Sequence, residues 1–434
     1  MEKFFGIKKA GSTVKTEIYG GITTFLTLAY IIFVNPAILS DAIKVDGAYG
    51  SLMVATILGA ASATLIMGLL ANYPFALAPG MGLNAYFTYT VVIKMGIDWR
   101  VALGAVFVEG LIFVIITLTG IRGFIANAIP RSIKVATGAG IGLFIAFIGL
   151  KGANIVTSDP STLLTLGNIT SPEALTAILG LLIISVLYVL KIPGSVLIGI
   201  LSATIIGWFF GITKFNGIVG PIPDISPTFL KLKLTPSTFL DPNFWIVVVT
   251  FFFVDFFDTT GTLMGIAQSS GMTDKDGNLP RSTKAYMADA TGTVIGSLFG
   301  TSTVTTFVES GAGIAQGART GLASVVTAVL LLLTLFFSPL AGAIPTAATA
   351  PALIFVGSLM IKNLKFIDWD DTTEGLPAFI TLIMMPLTYS IATGITLGMI
   401  AFPIIKFFSG KRKEVHWLTW VIAVLFVFYL VFLK

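Results

Sequence analysis

Long apolar stretches recur along almost the whole chain of 434 residues and are separated by short polar loops. Each has about 17–25 residues, the length that an α-helix needs to cross a bilayer core about 30 Å thick. Only 11% of the residues are charged, whereas soluble domains average about 25%. Because so apolar a chain cannot hide its apolar surface in a water-soluble core, we expect an all-α polytopic membrane protein.

Fourteen of these stretches are predicted to span the membrane, seven in each half of the chain. Those of the first half lie at 17–39, 50–70, 75–95, 101–121, 131–150, 173–190 and 193–211. Those of the second half lie at 243–268, 283–300, 303–319, 320–338, 345–362, 374–390 and 391–410. Because each half has an odd number of spans, a repeat between the halves must be inverted, an architecture common in transporters. The similar Gly-containing apolar patterns of residues 191–211 and 390–410 favour such a repeat.

These spans divide the chain into five segments. We expect a cytoplasmic N-terminus (1–16), a first repeat (17–211), an extracellular linker (212–242), a second repeat (243–410), and a basic turn with an extra apolar segment (411–434). Lys and Arg concentrate in the loops that fourteen spans put on the side of the N-terminus, which predicts a cytoplasmic N-terminus in the plasma (inner) membrane. Since basic residues at helix ends set orientation, the net charge of +5 does not indicate a nucleic-acid partner.

The third span of the first half cannot be a continuous helix. Pro74, Pro79, Gly80 and Gly82 lie close together in it. Proline lacks the N–H that a helix interior needs, and glycine weakens the helix. We predict a short extended stretch over 75–79, followed by a half-helix that begins near Gly80.

The third span of the second half, the tenth overall, is broken in the same way. Residues 301–309 are rich in Thr and Val, which favours an extended strand, and a helix can begin at Ser310 as its N-cap. Paired interrupted spans at corresponding positions indicate a transporter binding site. We expect the free N–H groups and positive ends of both half-helices to hold a polar solute.

Ionisable residues inside these apolar spans are the next functional signal, because burying them costs several kcal/mol. Asp255 and Asp258 are three positions apart on one span, roughly on one helical face, and Glu309 lies at the start of the second half-helix. We predict that Asp258 and Glu309 accept N–H groups of a planar heterocycle. All three acids are candidates for proton exchange, since burial disfavours the charged form. The alternative is that an aspartate caps a neighbouring backbone group or pairs with Arg319.

Further polar and aromatic residues occur near these acids. Asn84 lies one turn into the first half-helix, and Phe87 follows it with a ring that could stack on a flat solute. Together with Gly80 and Ser310 at the helix starts, they complete the predicted substrate site. Glu109 and Asp289 are also buried acids, but neither sits by a break in the sequence, so we interpret both as structural.

Four segments resemble one known family. They are "LAYIIFVNPAILSDA" (28–42), "APGMGLNAYF" (78–87), "FVDFFDTTGTLMG" (253–265) and "GTSTVTTFVESGAGIAQGARTGL" (300–322). They are similar to the nucleobase–cation symporters related to the uracil and xanthine permeases. The resemblance is strongest to the adenine/guanine/hypoxanthine branch, and it covers nearly the whole chain.

The resemblance implies fourteen spans in two inverted repeats, with discontinuous spans 3 and 10. It implies a core domain from spans 1–4 and 8–11 and a gate domain from spans 5–7 and 12–14. The function implied is proton-coupled import of purine nucleobases by alternating access, in a protein that is often a homodimer. Asp258 matches the span-8 acid that binds the base, Glu309 the acid or amide at the span-10 helix start, and Asn84 the polar residue of span 3.

Two other functions remain as alternatives. An anion exchanger of similar fold would need a basic residue between the half-helix ends, where Arg319 is the candidate. An intramembrane aspartyl hydrolase would need two acids from separate helices, which Asp255 and Asp258 are not. The chain has no cysteine and a single histidine, His416. We therefore expect no metal site, cofactor or enzymatic activity, and leave sodium coupling open.

Overall fold

The computed structural model describes residues 2–120, 129–215, 217–274 and 279–432. Its first half consists almost entirely of helices. In chain order these elements are α1 (Glu2–Phe5), α2 (Val14–Leu28), α3 (Ile31–Leu39), α4 (Ala48–Ile66), β1 (Leu77–Pro79), α5 (Met81–Ala85), α6 (Trp99–Thr119), α7 (Arg131–Gly152), β2 (Val156–Asp159), β3 (Leu163–Leu166), α8 (Pro172–Val189) and α9 (Ser195–Phe209). Wider π-helical turns extend α4 through Met67–Ala71 and α5 through Tyr86–Lys94.

The second half repeats this order of a long helix pair, a short strand and a short helix. Its elements are α10 (Pro236–Leu240), α11 (Pro242–Ser269), α12 (Ser282–Phe299), β4 (Val304–Thr306), α13 (Ser310–Ala315), α14 (Gly321–Leu333), α15 (Ser338–Gly342), α16 (Thr346–Met360), α17 (Thr372–Thr388), α18 (Ile391–Phe408) and α19 (Trp417–Phe432). Short 3-10 helices occupy Thr334–Phe337, Ile361–Phe366 and Arg412–Glu414.

Nine helical segments within the described residues are long and apolar enough to cross a membrane. They coincide with predicted spans 1, 2, 4, 5, 6, 8, 11, 12 and 14, so the prediction of an all-α polytopic protein is confirmed. The other five predicted spans correspond to β1 with α5, α9, α12, β4 with α13, and α17, which are shorter, broken or more polar. The total of fourteen spans stays a prediction.

The two predicted breaks lie side by side. β1 and β4 pair in an antiparallel ladder, with Leu77 opposite Thr306 and Pro79 opposite Val304. The strands have three residues each and lie within the predicted extended stretches 75–79 and 301–309. The sequence does not reveal which residues of the two stretches face each other.

Helix packing divides the described residues into two groups. The first packing group consists of α2–α6 with α11–α14, and the second of α7–α9 with α16–α19. Small residues let helices approach closely within each group. A Cβ added to Gly321 of α14 would overlap the Gly68 carbonyl oxygen, and one added to Gly142 of α7 would lie 2.6 Å from the Cβ of Met360.

The C-terminal apolar segment belongs to the second packing group. α19 packs on α18, and the turn before it is tied down by a buried lysine. Lys406 of α18, whose side chain is 2% exposed, lies 2.8 Å from Glu374 and 2.7 Å from Glu414. Lys411 lies 2.7 Å from Asp371, which caps α17. These ion pairs hold the start of α19 against the ends of α17 and α18.

Candidate functional site

The site is built around the crossing of β1 and β4. Two further hydrogen bonds continue the ladder, from the Gly80 amide to the Thr303 carbonyl at 3.0 Å and from the Phe307 amide to the Ala76 carbonyl at 2.9 Å. Each strand leads directly into a short helix, β1 into α5 and β4 into α13. Both half-helices therefore begin at the same place in the first packing group.

Side-chain hydroxyls fix this crossing from two directions. Thr64 of α4 accepts a hydrogen bond from the Leu77 amide at 2.9 Å and donates to the Leu77 carbonyl at 3.0 Å. Ser310 accepts from the Ala76 amide at 2.9 Å and donates to the Phe307 carbonyl at 2.7 Å. Each hydroxyl satisfies backbone groups that would otherwise be unpaired at membrane depth.

The predicted N-cap of the second half-helix is wrong. Ser310 is the first helical residue of α13, and Glu309 occupies the capping position without a side-chain cap bond. The hydroxyl of Ser310 is unavailable as a cap because it binds the two strands instead.

The two half-helices differ in their free amides. The amides of Ser310, Gly311 and Ala312 donate to the carbonyls three residues before them, at 3.0–3.1 Å. The expectation of free N–H groups is therefore wrong for α13, whose entry turn already uses them. In the part of the chain that the structure describes, the amides at the start of α5, residues 81–83, donate no hydrogen bond outside their own helix. Donors for a solute are thus available at α5.

Asp258 of α11 lies at the crossing. Its Oδ2 accepts a hydrogen bond from the Thr305 hydroxyl of β4 at 3.1 Å. A Cβ added to Gly80 would lie 3.8 Å from that oxygen and 2.6 Å from Cγ2 of Thr305. Asp258 is half-buried. The lack of a side chain at Gly80 thus brings the carboxylate next to the start of α5.

Glu309 approaches the same place from α13. Its Oε1 accepts a hydrogen bond from the Tyr30 hydroxyl at 2.6 Å, and its backbone carbonyl lies 3.4 Å from the Thr27 hydroxyl. The Glu309 side chain is half-buried and close enough to Asp258 for the two charges to repel each other. The structure therefore brings together the two acids that the sequence singles out for the site.

Asn84 and Phe87 lie deeper in the packing. The Asn84 amide oxygen accepts from the Ser302 hydroxyl, and its nitrogen lies 3.4 Å from the Pro79 carbonyl. Phe87 is fully buried with its ring 6.5 Å from that of Phe251. Asn84 ties α5 to the entry of β4, and Phe87 fills the core behind the site. Neither observation tests a direct role toward a solute.

Asp255 is linked to β4 only indirectly, through Thr259 and Asp289, whereas Asp258 contacts Thr305 of that strand directly. The Oδ1 of Asp255 is 3.3 Å from the Thr259 hydroxyl, which also lies 2.7 Å from Asp289. Asp289 in turn accepts a hydrogen bond from the Thr306 hydroxyl of β4 at 2.9 Å. Asp289 therefore does contact a broken span, although we interpreted it as structural because it is not next to a break in the sequence. Asp255, Asp289 and Glu109 interact electrostatically and form a second group of acids.

Sequence reasoning missed two partners of the site acids, Tyr30 and Thr305. Tyr30 lies in an apolar run of the first span, where one tyrosine carries no distinguishing signal. Thr305 belongs to a Thr-rich stretch that suggested a strand without showing which hydroxyl faces an acid. The register of β4 against β1 decides which threonine faces Asp258, and that register is visible only in the folded structure.

A cavity of about 300 Å³ lies between the two packing groups. Asp41 and Tyr89 line it from the first packing group, and Lys151, Thr346 and Tyr389 from the second. The positive-inside prediction puts these residues at the extracellular end. A cavity at the seam between two bodies is where relative movement would change access.

Comparison with known proteins identifies the family. The xanthine/uracil permease model, described as a permease family, matches residues 15–397. The chain belongs to the xanthine/uracil permease family. A chain of Methanocaldococcus jannaschii described only as a permease is 57% identical, over 100% of this chain and 99% of the relative. The guanine/hypoxanthine permease PbuG of Bacillus subtilis is 47% identical, over 100% of both chains. The adenine permease AdeP of Escherichia coli is 41% identical, over 100% of this chain and 96% of the relative.

A solved structure shares the fold of this permease. The transmembrane domain of a cyanobacterium bicarbonate transporter, BicA, superposes with a TM-score of 0.65 at 19% identity, over 87% of this chain and 97% of that one. At that identity the likeness concerns the fold alone. Membership in a permease family confirms the prediction of a transporter rather than an enzyme.

The basic residue required by the anion-exchange alternative is engaged elsewhere in this permease. Arg319 Nη1 donates to the carbonyls of Ile314 and Ala318, both at 2.7 Å, and its backbone amide donates to Glu17 at 2.9 Å. Arg319 thus closes the C-terminal end of α13. The side chains that meet at the strand crossing are acids, which favours a solute that donates hydrogen bonds.

Proposed function

We propose that this permease imports purine nucleobases by proton symport. The observation that carries the proposal is the meeting of Asp258 and Glu309 at the crossing of β1 and β4, each with a hydroxyl partner. Relatives that match the whole chain are named as guanine/hypoxanthine and adenine permeases, which supports a purine substrate.

The chemistry of a purine fits this set of groups. A purine base is flat and neutral, and its edge carries both N–H donors and ring-nitrogen or carbonyl acceptors. Each carboxylate can accept two N–H groups, and the first amides of α5 can donate to an acceptor on the same edge. Because the acids are half-buried, hydrogen bonds to them are stronger than in bulk water, and these few bonds determine which ring is bound.

The two acids also provide a site for the proton. Their charges repel each other across a partly dehydrated space, so a single proton bound by either acid lowers the free energy of the pair. Protonation of one acid leaves the other as an acceptor for the base. Base binding and proton binding therefore favour each other, as symport requires.

The two packing groups support a mechanism of alternating access. In this proposal the first packing group is the core domain, which carries the site, and the second packing group is the gate domain. Movement of the core against the gate would open the seam on one side of the membrane and close it on the other. We further propose a multi-pass protein of the plasma (inner) membrane with a cytoplasmic N-terminus, assembled as a homodimer.

The test measures uptake of labelled hypoxanthine in a strain that lacks its own purine permeases. Asp258→Ala and Glu309→Ala are expected to abolish uptake at wild-type expression, while the control Asp46→Ala, in an exposed loop, retains it. Wild-type uptake by both site variants would contradict the assignment. Competition by adenine, guanine, xanthine and uracil, with and without a protonophore, determines the substrate and the coupling ion.

A further inference from the structure

The acids Glu109, Asp255 and Asp289 meet behind the substrate site and have no role in the proposed binding of the base. They come from three helices, α6, α11 and α12, and each is fully buried. Among the described residues, no hydroxyl or N–H group donates a hydrogen bond to either carboxylate oxygen of Glu109 or to the Oδ2 of Asp255, and these two carboxyl groups are close enough to hydrogen-bond each other when one of them carries a proton. Leaving charged oxygens buried without partners is costly, so the group must hold something that neutralises them.

The hydroxyl of Thr259 indicates what neutralises these oxygens. Its oxygen lies 2.7 Å from Asp289 Oδ1 and 3.3 Å from Asp255 Oδ1. A hydroxyl has one hydrogen and can donate to only one of two carboxylates. The other contact is a full hydrogen bond only if that carboxyl carries a proton and donates to Thr259. The Thr259 geometry therefore requires a proton on one of these two carboxyl groups.

The charged and titratable groups around these acids do not supply a countercharge to Glu109 or Asp255. Asp255 experiences the charges of Glu109, Asp289 and, more weakly, Asp258. The π-helical turn beside α6 contributes Tyr86, whose ring packs on Phe251.

Helix α11 also packs against α7, which contributes a lysine. Lys134 of α7 has its Nζ 6.0 Å from the ring of Phe257, the residue that precedes Asp258. Within the described residues, no ion pair links a lysine or arginine to Glu109 or Asp255. The negative charge of these two carboxyl groups is therefore met by protonation.

Strand β4 connects this group to the substrate site. Neighbouring residues of a strand face opposite sides. Thr305 donates to Asp258 at 3.1 Å, whereas Thr306 donates to Asp289 at 2.9 Å. Thr293, one turn after Asp289 on α12, also binds the backbone of Val304, at 3.0 and 3.2 Å. A change at Asp289 therefore acts on the strand that positions Thr305.

We propose that Glu109, Asp255 and Asp289 form a second proton-binding site, separate from the substrate site and coupled to it through β4. This inference rests on the proposed function of purine symport. A proton on the group removes negative charge next to Asp258, so Asp258 can remain charged and accept N–H groups of the base. Loading the group with a proton thus favours base binding, and base binding favours loading.

The experiment uses the full chain in proteoliposomes. The first measurement is hypoxanthine exchange, which requires no net proton movement. The second is the number of protons that enter with each hypoxanthine, which a pH dye enclosed in the proteoliposomes reports. Glu109→Gln is expected to retain exchange while its proton-to-hypoxanthine ratio falls about twofold, because the Asp258–Glu309 pair still binds its proton and the second site no longer does. The matched control is Glu17→Gln, a buried acid whose two oxygens accept the amides of Arg319 and Thr320. Its ratio is expected to equal that of wild type.

The outcomes separate the two proposals. If wild type itself exchanges no hypoxanthine, the proposed function fails. If wild type transports and Glu109→Gln keeps the wild-type proton-to-hypoxanthine ratio, the second proton site is refuted. It is also refuted if Glu109→Gln loses exchange and proton-coupled uptake to the same extent.

A second variant covers the case in which Glu109→Gln does not fold. Thr306→Val keeps all three acids and removes only the hydroxyl that joins Asp289 to β4. It is expected to weaken the dependence of hypoxanthine affinity on pH. A pH dependence identical to that of wild type would overturn the proposed coupling through β4.

Discussion

At the residue scale, both acids of the proposed substrate site have a hydroxyl as their partner. Tyr30 donates to Glu309, and Thr305 donates to Asp258. A hydroxyl can donate to a charged carboxylate or accept from a protonated one. Each acid can therefore gain or lose a proton without losing its partner, which keeps the site in one geometry through both charge states.

Replacing Tyr30 by Phe tests this arrangement. The substitution removes the hydrogen bond to Glu309 while preserving the ring, so the carboxylate loses the group that orients it. A hydrogen bond to a charged group contributes about 1.5–3 kcal/mol, which predicts a KM for hypoxanthine raised by about tenfold or more. Uptake kinetics at matched expression measure this KM. An unchanged KM would show that the Tyr30 hydroxyl does not orient Glu309 for binding.

The acids could be predicted from the sequence because a charge inside an apolar span is conspicuous. Asp258 and Glu309 stand out in this way, and the structure brings them together. Tyr30 and Thr305 could not be predicted, since Tyr and Thr are common in membrane helices and strands. Asp289 was misjudged for a similar reason, because its contact with Thr306 depends on how α12 lies against β4.

A second prediction concerns Asp371, at the loop before α17. Hydrogen bonds from Lys411, and then from Thr373, hold the pKa of Asp371 well below its usual range. A carboxyl with a lowered folded-state pKa stabilises the fold above its unfolded pKa, and this stabilisation is lost as the pH falls through the folded-state value. Asp371→Asn keeps an oxygen for the cap of α17 and removes the charge.

Asp371→Asn is therefore expected to lower the Tm of the detergent-solubilised protein at pH 7. The difference from wild type should persist down to about pH 4, the ordinary pKa of an aspartate, and shrink only below it. Thermal unfolding across a pH series in low salt measures this. A difference that is the same at every pH would assign the effect to packing rather than to charge.

At the element scale, the sequence located both interrupted spans but not how they end. Pro79 and Gly80 predicted where the first helix restarts, and α5 begins at Met81 as expected. The predicted capping of α13 was wrong, because it depends on the opposite strand. The Ser310 hydroxyl would be a good cap in an isolated helix, but Ala76 competes for it.

Close helix packing gives a prediction at this scale. Gly321 begins α14 directly against the backbone of Gly68 at the end of α4, so a Cβ at this position has no space. Gly321→Ala is expected to destabilise the fold by about 1–3 kcal/mol, the usual effect of overpacking. Gly138→Ala is the control, since a Cβ at that position of α7 meets nothing within 4 Å. Equal Tm values for both variants would contradict the close contact.

At the scale of the whole molecule, apolar segments alone predicted the polytopic architecture. The order of spans could be predicted because membrane-crossing length is fixed by the bilayer. Which helices pack together could not be predicted from the residues, since glycine-rich apolar helices offer many similar surfaces. The resemblance to a family implied a core and a gate, and the assignment of the two packing groups to them stays a proposal.

Relative movement of the two packing groups can be tested at the seam. The rings of Tyr89 and Tyr389, one from each group, lie 5.8 Å apart at their centroids. The natural chain has no cysteine, so Tyr89→Cys with Tyr389→Cys creates a unique pair. A short bifunctional thiol reagent is expected to block hypoxanthine uptake in the double variant and leave both single variants active. Full uptake by the cross-linked double variant would show that the seam does not need to open.

The pairing of β1 with β4 also has a consequence for how the protein is made. The two strands are separated by more than 200 positions, yet each supplies the hydrogen-bond partners of the other. When the ribosome has delivered only the first half to the membrane, the edge of β1 has no β4 to bind. Unpaired backbone is poorly tolerated in lipid. The crossing of the two strands is therefore completed only after the segment that carries β4 is inserted, and insertion factors that shelter β1 until then would aid biogenesis.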